Sequence, residues 1–176
     1  MIEEAKSIDV GAEGMLFTPY IMGERTPYTD STIRGSFIGI DIKHTKAHFL
    51  RAILEGIIFS LKDSLVIIEN SKKIKRIIAT GGGAKSTVWL QIQADIFNTE
   101  IITIKSGEGP SIGAAILAAV GLNWFDSISD CVESFVSYSK PIVPIKENVE
   151  KYIKYYKIYQ TVYDNTKDIS LQLKKI

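Results

Sequence analysis

The chain has 176 residues, 21 basic against 20 acidic side chains and a formal net charge of +1. At 45% hydrophobic and 23% charged it is composed as a globular protein, and a chain of this length buries roughly 70% of its unfolded surface without disulfides or metals. With no basic surplus a phosphate backbone is a poor partner, and with a single cysteine, Cys131, no intramolecular disulfide can form, so a reducing, cytoplasmic setting is expected. No run of about 18 apolar residues predicts a membrane span, and Glu3 and Glu4 stand where a signal peptide would be basic and then apolar.

Residues 2–8 read as the tail of a helix, broken by Gly11 and Gly14. Met15, Leu16 and Phe17 predict a short buried strand stopped by Pro19, and turn residues predict a loop over 23–30. A second strand is expected over 36–40, then a long helix over 45–70. Leu50, Leu54, Ile57, Leu61, Leu65 and Ile68 recur at spacings of three and four. They form one face, widened by Ile53 and Ile58, which predicts a central and largely buried helix.

A branched apolar strand follows over 75–80, ended by Gly81, Gly82 and Gly83. Then come a helix over 85–97, a strand over 101–104, a turn over 107–111, a helix over 111–120 and a short helix over 129–135. The last helix begins near Lys146, with Val149, Tyr152, Ile153, Tyr156, Tyr159 and Tyr163 on one stripe. Core packing with the hydroxyls at the rim is the simplest reading of that stripe. Strand–helix alternation from 75 to 120 predicts an α/β domain with parallel strands.

The segment Thr80-Gly81-Gly82-Gly83-Ala84-Lys85-Ser86 carries the most chemistry. Glycines between strand and helix let a backbone approach a phosphate or nucleoside, and the next helix offers free N–H groups at its start. The bland alternative is a tight turn with no ligand. A Walker loop is excluded because Ala79 and Ala84 occupy its glycine positions, and the dinucleotide fingerprint is excluded by Ser86.

His44 and His48 have zinc-ligand spacing, but Thr45 replaces the glutamate of that motif, so capping or surface roles are expected. Glu24, Arg25, Asp30 and Arg34 charge a loop that is either pinned by ion pairs and hydrogen bonds or turned toward a cleft. Arg51 and Glu55, four apart, read as a partly buried pair. Gly113, Ala114 and Ala115 read as a close-packing face, and Cys131 as an inert small hydrophobe.

Together these residues resemble the C-terminal half of the FGGY carbohydrate kinases. The order is Pro19-Tyr20, Gly23-Glu24-Arg25-Thr26-Pro27, Arg34-Gly35, Arg51-Ala52 with Glu55-Gly56, then Gly81 to Ser86 with Trp89, Gln91, Ala94 and Asp95. Gly113-Ala114-Ala115 and the closing tyrosine helix complete the resemblance, which covers about residues 11–163. Gly-Glu-Arg-Thr-Pro followed by Asp30 is most similar to the xylulokinases, with gluconate, ribulose and glycerol kinases as less similar neighbours.

The resemblance implies a ribonuclease-H-like domain of the actin/sugar-kinase type, with a mixed sheet flanked by helices. Residues 1–176 would be one domain, the nucleotide-side portion of a two-domain kinase. It implies transfer of the γ-phosphoryl of ATP, with Mg2+, to a hydroxyl of a pentulose such as D-xylulose. Gly81, Gly82 and Gly83 would lie against the α-phosphate and ribose, with Ala84 beside them. Lys85, Ser86 and Thr87 would border the adenosine. The catalytic aspartate, most sugar contacts and the loop for the terminal phosphates would lie in an N-terminal domain outside this chain. The chain alone is therefore expected to be inactive and without a catalytic residue or metal ligand. A stand-alone nucleotide-binding or regulatory module is the alternative from another class. Apolar surface uncovered by the absent domain predicts self-association, so a homodimer stays open.

Overall fold

The computed structural model describes residues 2–69, 74–105 and 109–176. The chain enters through a 3-10 turn, Ile2–Ser7, and turns at Gly11 and Gly14, both at positive φ. Strand β1, Leu16–Thr18, pairs antiparallel with β2, Ser36–Ile38, with Phe17 opposite Phe37. Helix α1, Lys46–Glu69, then crosses β1. The crossing is close because Gly56 has no side chain: a Cβ there would lie 2.1 Å from the Phe17 carbonyl oxygen. The expected last residue of this helix, 70, lies outside the described residues.

Strand β3, Arg76–Ala79, runs parallel to β4, Glu100–Thr103, as the alternation predicted, with helix α2, Thr87–Phe97, between them. The other edge of β4 is bridged antiparallel at Ile101–Ile142 and Ile104–Tyr138, so pairing of both senses meets at that strand. Helix α3, Gly109–Gly121, packs on α4, Ile128–Phe135, and α5, Lys146–Leu173, closes the chain. The turn predicted over 107–111 falls partly outside the described residues. Pro110 and Ser111 are already helical, and proline suits a first helical turn because its missing N–H has no partner there. No helix among the described residues is long and apolar enough to cross a membrane.

The main core joins Leu54, Ile58 and Phe59 of α1 with Val88, Ile92 and Ile96 of α2 and with the tyrosines of α5. Four expectations need correction. The apolar stripe of α1 is buried only in part: Leu61 is 51% and Ile68 59% exposed, because α2 and α5 cover the earlier turns and leave the later ones lining a groove. On α5, Tyr152, Tyr156 and Tyr159 are buried but Ile153 is 44% exposed, one step of about 100° round the helix from Tyr152. The tyrosine hydroxyls also do not all reach the rim: those of Tyr152 and Tyr156 donate to the buried carboxylates of Glu55 and Asp63.

The fourth correction concerns Gly113, Ala114 and Ala115. They are exposed, and nothing lies within 4 Å of a Cβ built at Gly113. The packed face of α3 carries Ile116 and Ala119, which meet the fully buried Cys131.

Candidate functional site

The glycine segment sits where β3 hands over to α2. Gly81 takes φ +80 and ψ −168, a backbone state that side chains resist. Residues Gly82–Lys85 then form a single 3-10 turn, closed by Ala84 N–H to the Gly81 carbonyl at 3.2 Å and Ser86 N–H to the Gly83 carbonyl at 3.1 Å. Helix α2 therefore starts at Thr87, two residues later than predicted. Ser86 is its N-cap, the side chain accepting from Trp89 N–H at 3.3 Å. The remaining N–H groups of the first helical turn have no intrahelical acceptor and carry the positive end of the helix dipole.

The three glycines are glycine for different reasons. Gly81 needs its left-handed φ. Gly83 needs the space, since a Cβ there would stand 2.1 Å from Cζ3 of Trp89. Gly82 needs neither: its φ is not positive, and nothing lies within 4 Å of a Cβ built on it. Gly81, Gly82, Lys85 and Thr87 are exposed, while Gly83, Ala84 and Ser86 are half-buried. Beside the turn a groove of about 570 Å³ opens between β3 and the later half of α1, walled by Leu61, Leu65, Ile78, Gly83 and Trp89.

The charged loop over 23–30 is pinned, chiefly by hydrogen bonds. Glu24 accepts from Arg25 N–H at 2.7 Å, Thr26 N–H at 3.2 Å and Ser60 Oγ–H at 3.0 Å. Asp30 accepts from the Thr32 hydroxyl at 2.6 Å, from Thr32 N–H at 2.7 Å and from the Tyr163 hydroxyl at 3.1 Å. Those donors, the Thr32 side chain first, hold its carboxyl below the usual range. Arg34 turns to the Ser31 and Ile33 carbonyls, and Tyr28 stacks on Tyr163 at 3.8 Å.

His44 and His48 cap the approach to α1. Their Nδ1 atoms accept from Asp41 N–H at 2.9 Å and Thr45 N–H at 3.1 Å. Among the described residues no three His, Cys, Asp or Glu side chains gather as a metal site.

Arg51 and Glu55 form the expected pair, deeper than expected. Oε1 of Glu55 takes Arg51 Nε–H at 2.6 Å, the Tyr152 hydroxyl at 2.7 Å and Gly11 N–H at 3.0 Å. Burial pushes this carboxyl up, against the pull of the guanidinium and the other donors. Sequence reasoning missed a second buried acid, Asp63, also pushed up by burial. Its only sequence signal is an aspartate four residues after Phe59, on the buried face of α1. Gln91 and Asp95 fasten the start of α5 to α2. Asp95 accepts from Ile145 N–H at 2.7 Å and Asn148 at 2.8 Å, and Gln91 donates to the Val143 carbonyl.

Residues 1–122 match the C-terminal domain of the FGGY family of carbohydrate kinases. The chain is 46% identical over 175 residues to a xylulose kinase of Bacillus subtilis, covering 99% of this chain and 35% of that protein. A ligand-bound xylulose kinase of Lactobacillus acidophilus superposes with a TM-score of 0.84 at 33% identity, over 94% of this chain and 34% of that one. A gluconate kinase of the same organism does so with 0.83 at 34% identity, over the same shares. The chain thus spans about a third of the length of these relatives.

Proposed function

This chain belongs to the FGGY family of carbohydrate kinases, and we propose that it forms the C-terminal, nucleotide-side portion of a two-domain, ATP-dependent kinase that phosphorylates a pentulose such as D-xylulose. The observation that carries the nucleotide side is Gly82. Among the described residues nothing requires a glycine there, which supports a ligand that must approach the backbone closely. Gly81 turns the backbone and Gly83 and Ala84 bring it under the phosphates. Lys85, Ser86 and Thr87 border the adenosine, with Ser86 capping the helix that starts at Thr87.

ATP supplies the phosphoryl group. What these residues contribute is position and charge, which dominate catalysis of phosphoryl transfer. The described residues gather no acidic cluster for Mg2+, so none is assigned to that ion and no step is derived through it. No residue here is proposed as catalytic: the acid that takes the sugar hydroxyl proton belongs to the N-terminal portion.

D-Xylulose is favoured by the 46% identity to a protein named xylulose kinase. D-Gluconate is the second reading, favoured by the gluconate kinase superposition at 0.83. The test is a titration of the full-length protein with Mg-ATP, followed at the amides of residues 81–87, and a kinase assay on both sugars. Protection of those amides and a higher kcat/KM for D-xylulose are expected. Unmoved amides would refute the nucleotide assignment, and preference for D-gluconate would reverse the substrate. Turnover by residues 1–176 alone would refute the division of labour.

A further inference from the structure

We infer that Trp89 is the prop of the glycine turn, a positioning residue that sets where the Gly81–Gly83 backbone stands and, through it, how tightly nucleotide is held. The second half of this inference rests on the nucleotide reading above; the first half does not.

The geometry is steric. A Cβ at Gly83 would lie 2.1, 2.4 and 3.2 Å from Cζ3, Cε3 and Cη2 of Trp89, so the six-membered ring lies directly against the turn. The ring is fixed from behind. Trp89 N–H is held by the N-cap Ser86, and the side chain packs on the main core beside Val88 and Ile92. Its indole N–H is buried and has no acceptor among the described residues. Shape, not a hydrogen bond, therefore keeps the ring in place.

The contact between turn and ring is at Gly83. Of the three glycines only Gly83 has its Cβ direction blocked: among the described residues nothing lies within 4 Å of Cβ positions built at Gly81 or Gly82. The ring also walls the 570 Å³ groove, so a shift of Trp89 toward that space would withdraw support from Gly83.

The test is a double-mutant cycle in the full-length protein: Trp89→Leu, Gly83→Ala and the two combined. Trp89→Leu removes the prop, and Gly83→Ala drives a methyl into it. Each single change should speed hydrogen exchange of the 81–85 backbone in the nucleotide-free protein. Each should also raise KM for ATP roughly tenfold, equivalent to about 1.4 kcal/mol of lost nucleotide binding. KM for the sugar should stay put. In the double variant the methyl enters the space the ring has left, and both readouts should return most of the way.

Additive effects on exchange would overturn the prop, because independent sites add. Equal rises in KM for ATP and sugar would overturn the positioning role in favour of a general loss of fold. If the unsubstituted protein shows no nucleotide protection at 81–87, the nucleotide reading fails, and the exchange cycle still decides the prop.

Discussion

Glu55→Gln keeps the shape of a buried side chain and removes its charge. Glu55 is 1% exposed and Arg51 7%, so the guanidinium would be left in the interior with no counter-charge. Breaking a buried pair from one side costs about 3–5 kcal/mol. The new amide group would also stand where Oε2 now has no hydrogen-bond partner. A loss near 4 kcal/mol is a large share of the roughly 5–15 kcal/mol of a typical domain. With a urea m-value of about 2 kcal/mol/M, the unfolding midpoint should fall by about 2 M at unchanged m. Urea unfolding followed by far-UV circular dichroism reads it directly. Replacing the group together, as Arg51→Met with Glu55→Leu and Tyr152→Phe, removes every charge and should leave only the loss of about 1–3 kcal/mol for the stranded Gly11 N–H, a recovery of about 1–3 kcal/mol. A midpoint shift below about 0.5 M for Glu55→Gln would refute the claim that this ion pair fastens the N-terminal segment and α5 to α1.

Gly56→Ala should destabilise by about 1–3 kcal/mol or more, because its Cβ would meet the Phe17 carbonyl at 2.1 Å and backbone cannot step aside; a melting temperature within a degree of the parent would contradict the close α1–β1 crossing. Gly81→Ala should cost about 1–3 kcal/mol through its φ of +80, whereas Gly82→Ala should leave thermal stability within about 0.5 kcal/mol and still raise KM for ATP. Equal thermal losses for the two would show that Gly82 is structural. Asp63→Asn should stabilise the protein at neutral pH. Burial raises the folded carboxyl above its unfolded value, so its contribution is complete below about pH 4 and is lost as pH rises through the folded pKa. Asparagine does not ionise and still accepts from the Tyr156 hydroxyl, so the gain should vanish in acid. Denaturant midpoints from pH 3 to 8 check this, and a pH-independent difference would refute it.

Much of the chain was legible because local rules decide it. The 3.6 period placed α1 within a residue of Lys46–Glu69, and branched residues ended by glycines placed a strand over 75–80, one residue beyond β3, Arg76–Ala79, at each end. The glycine segment was located correctly between strand and helix, though its last residues, Ala84 and Lys85, belong to a 3-10 turn and Ser86 to a cap. The inward faces of α2 and α5 and the earlier turns of α1 were read correctly, with Leu54, Ile58, Val88, Ile92, Tyr152 and Tyr159 buried; what failed was the later half of α1 and Ile153. Counting apolar residues put Leu61 and Ile68 in the core and left Asp63 unremarked, yet Asp63 is buried and they are not. A carboxylate enters a core only where a donor meets it, and its donor, Tyr156, lies 93 positions away.

The glycines divide along the same line. That Gly81, Gly82 and Gly83 end a strand and precede a helix follows from residues adjacent in sequence, since backbone freedom is local. That Gly83 must make room for Trp89, Gly56 for Phe17, and that Gly82 makes room for none of the described residues was decided only by the tertiary structure. Excluded volume acts between atoms close in space, and separation along the chain does not say which atoms those will be.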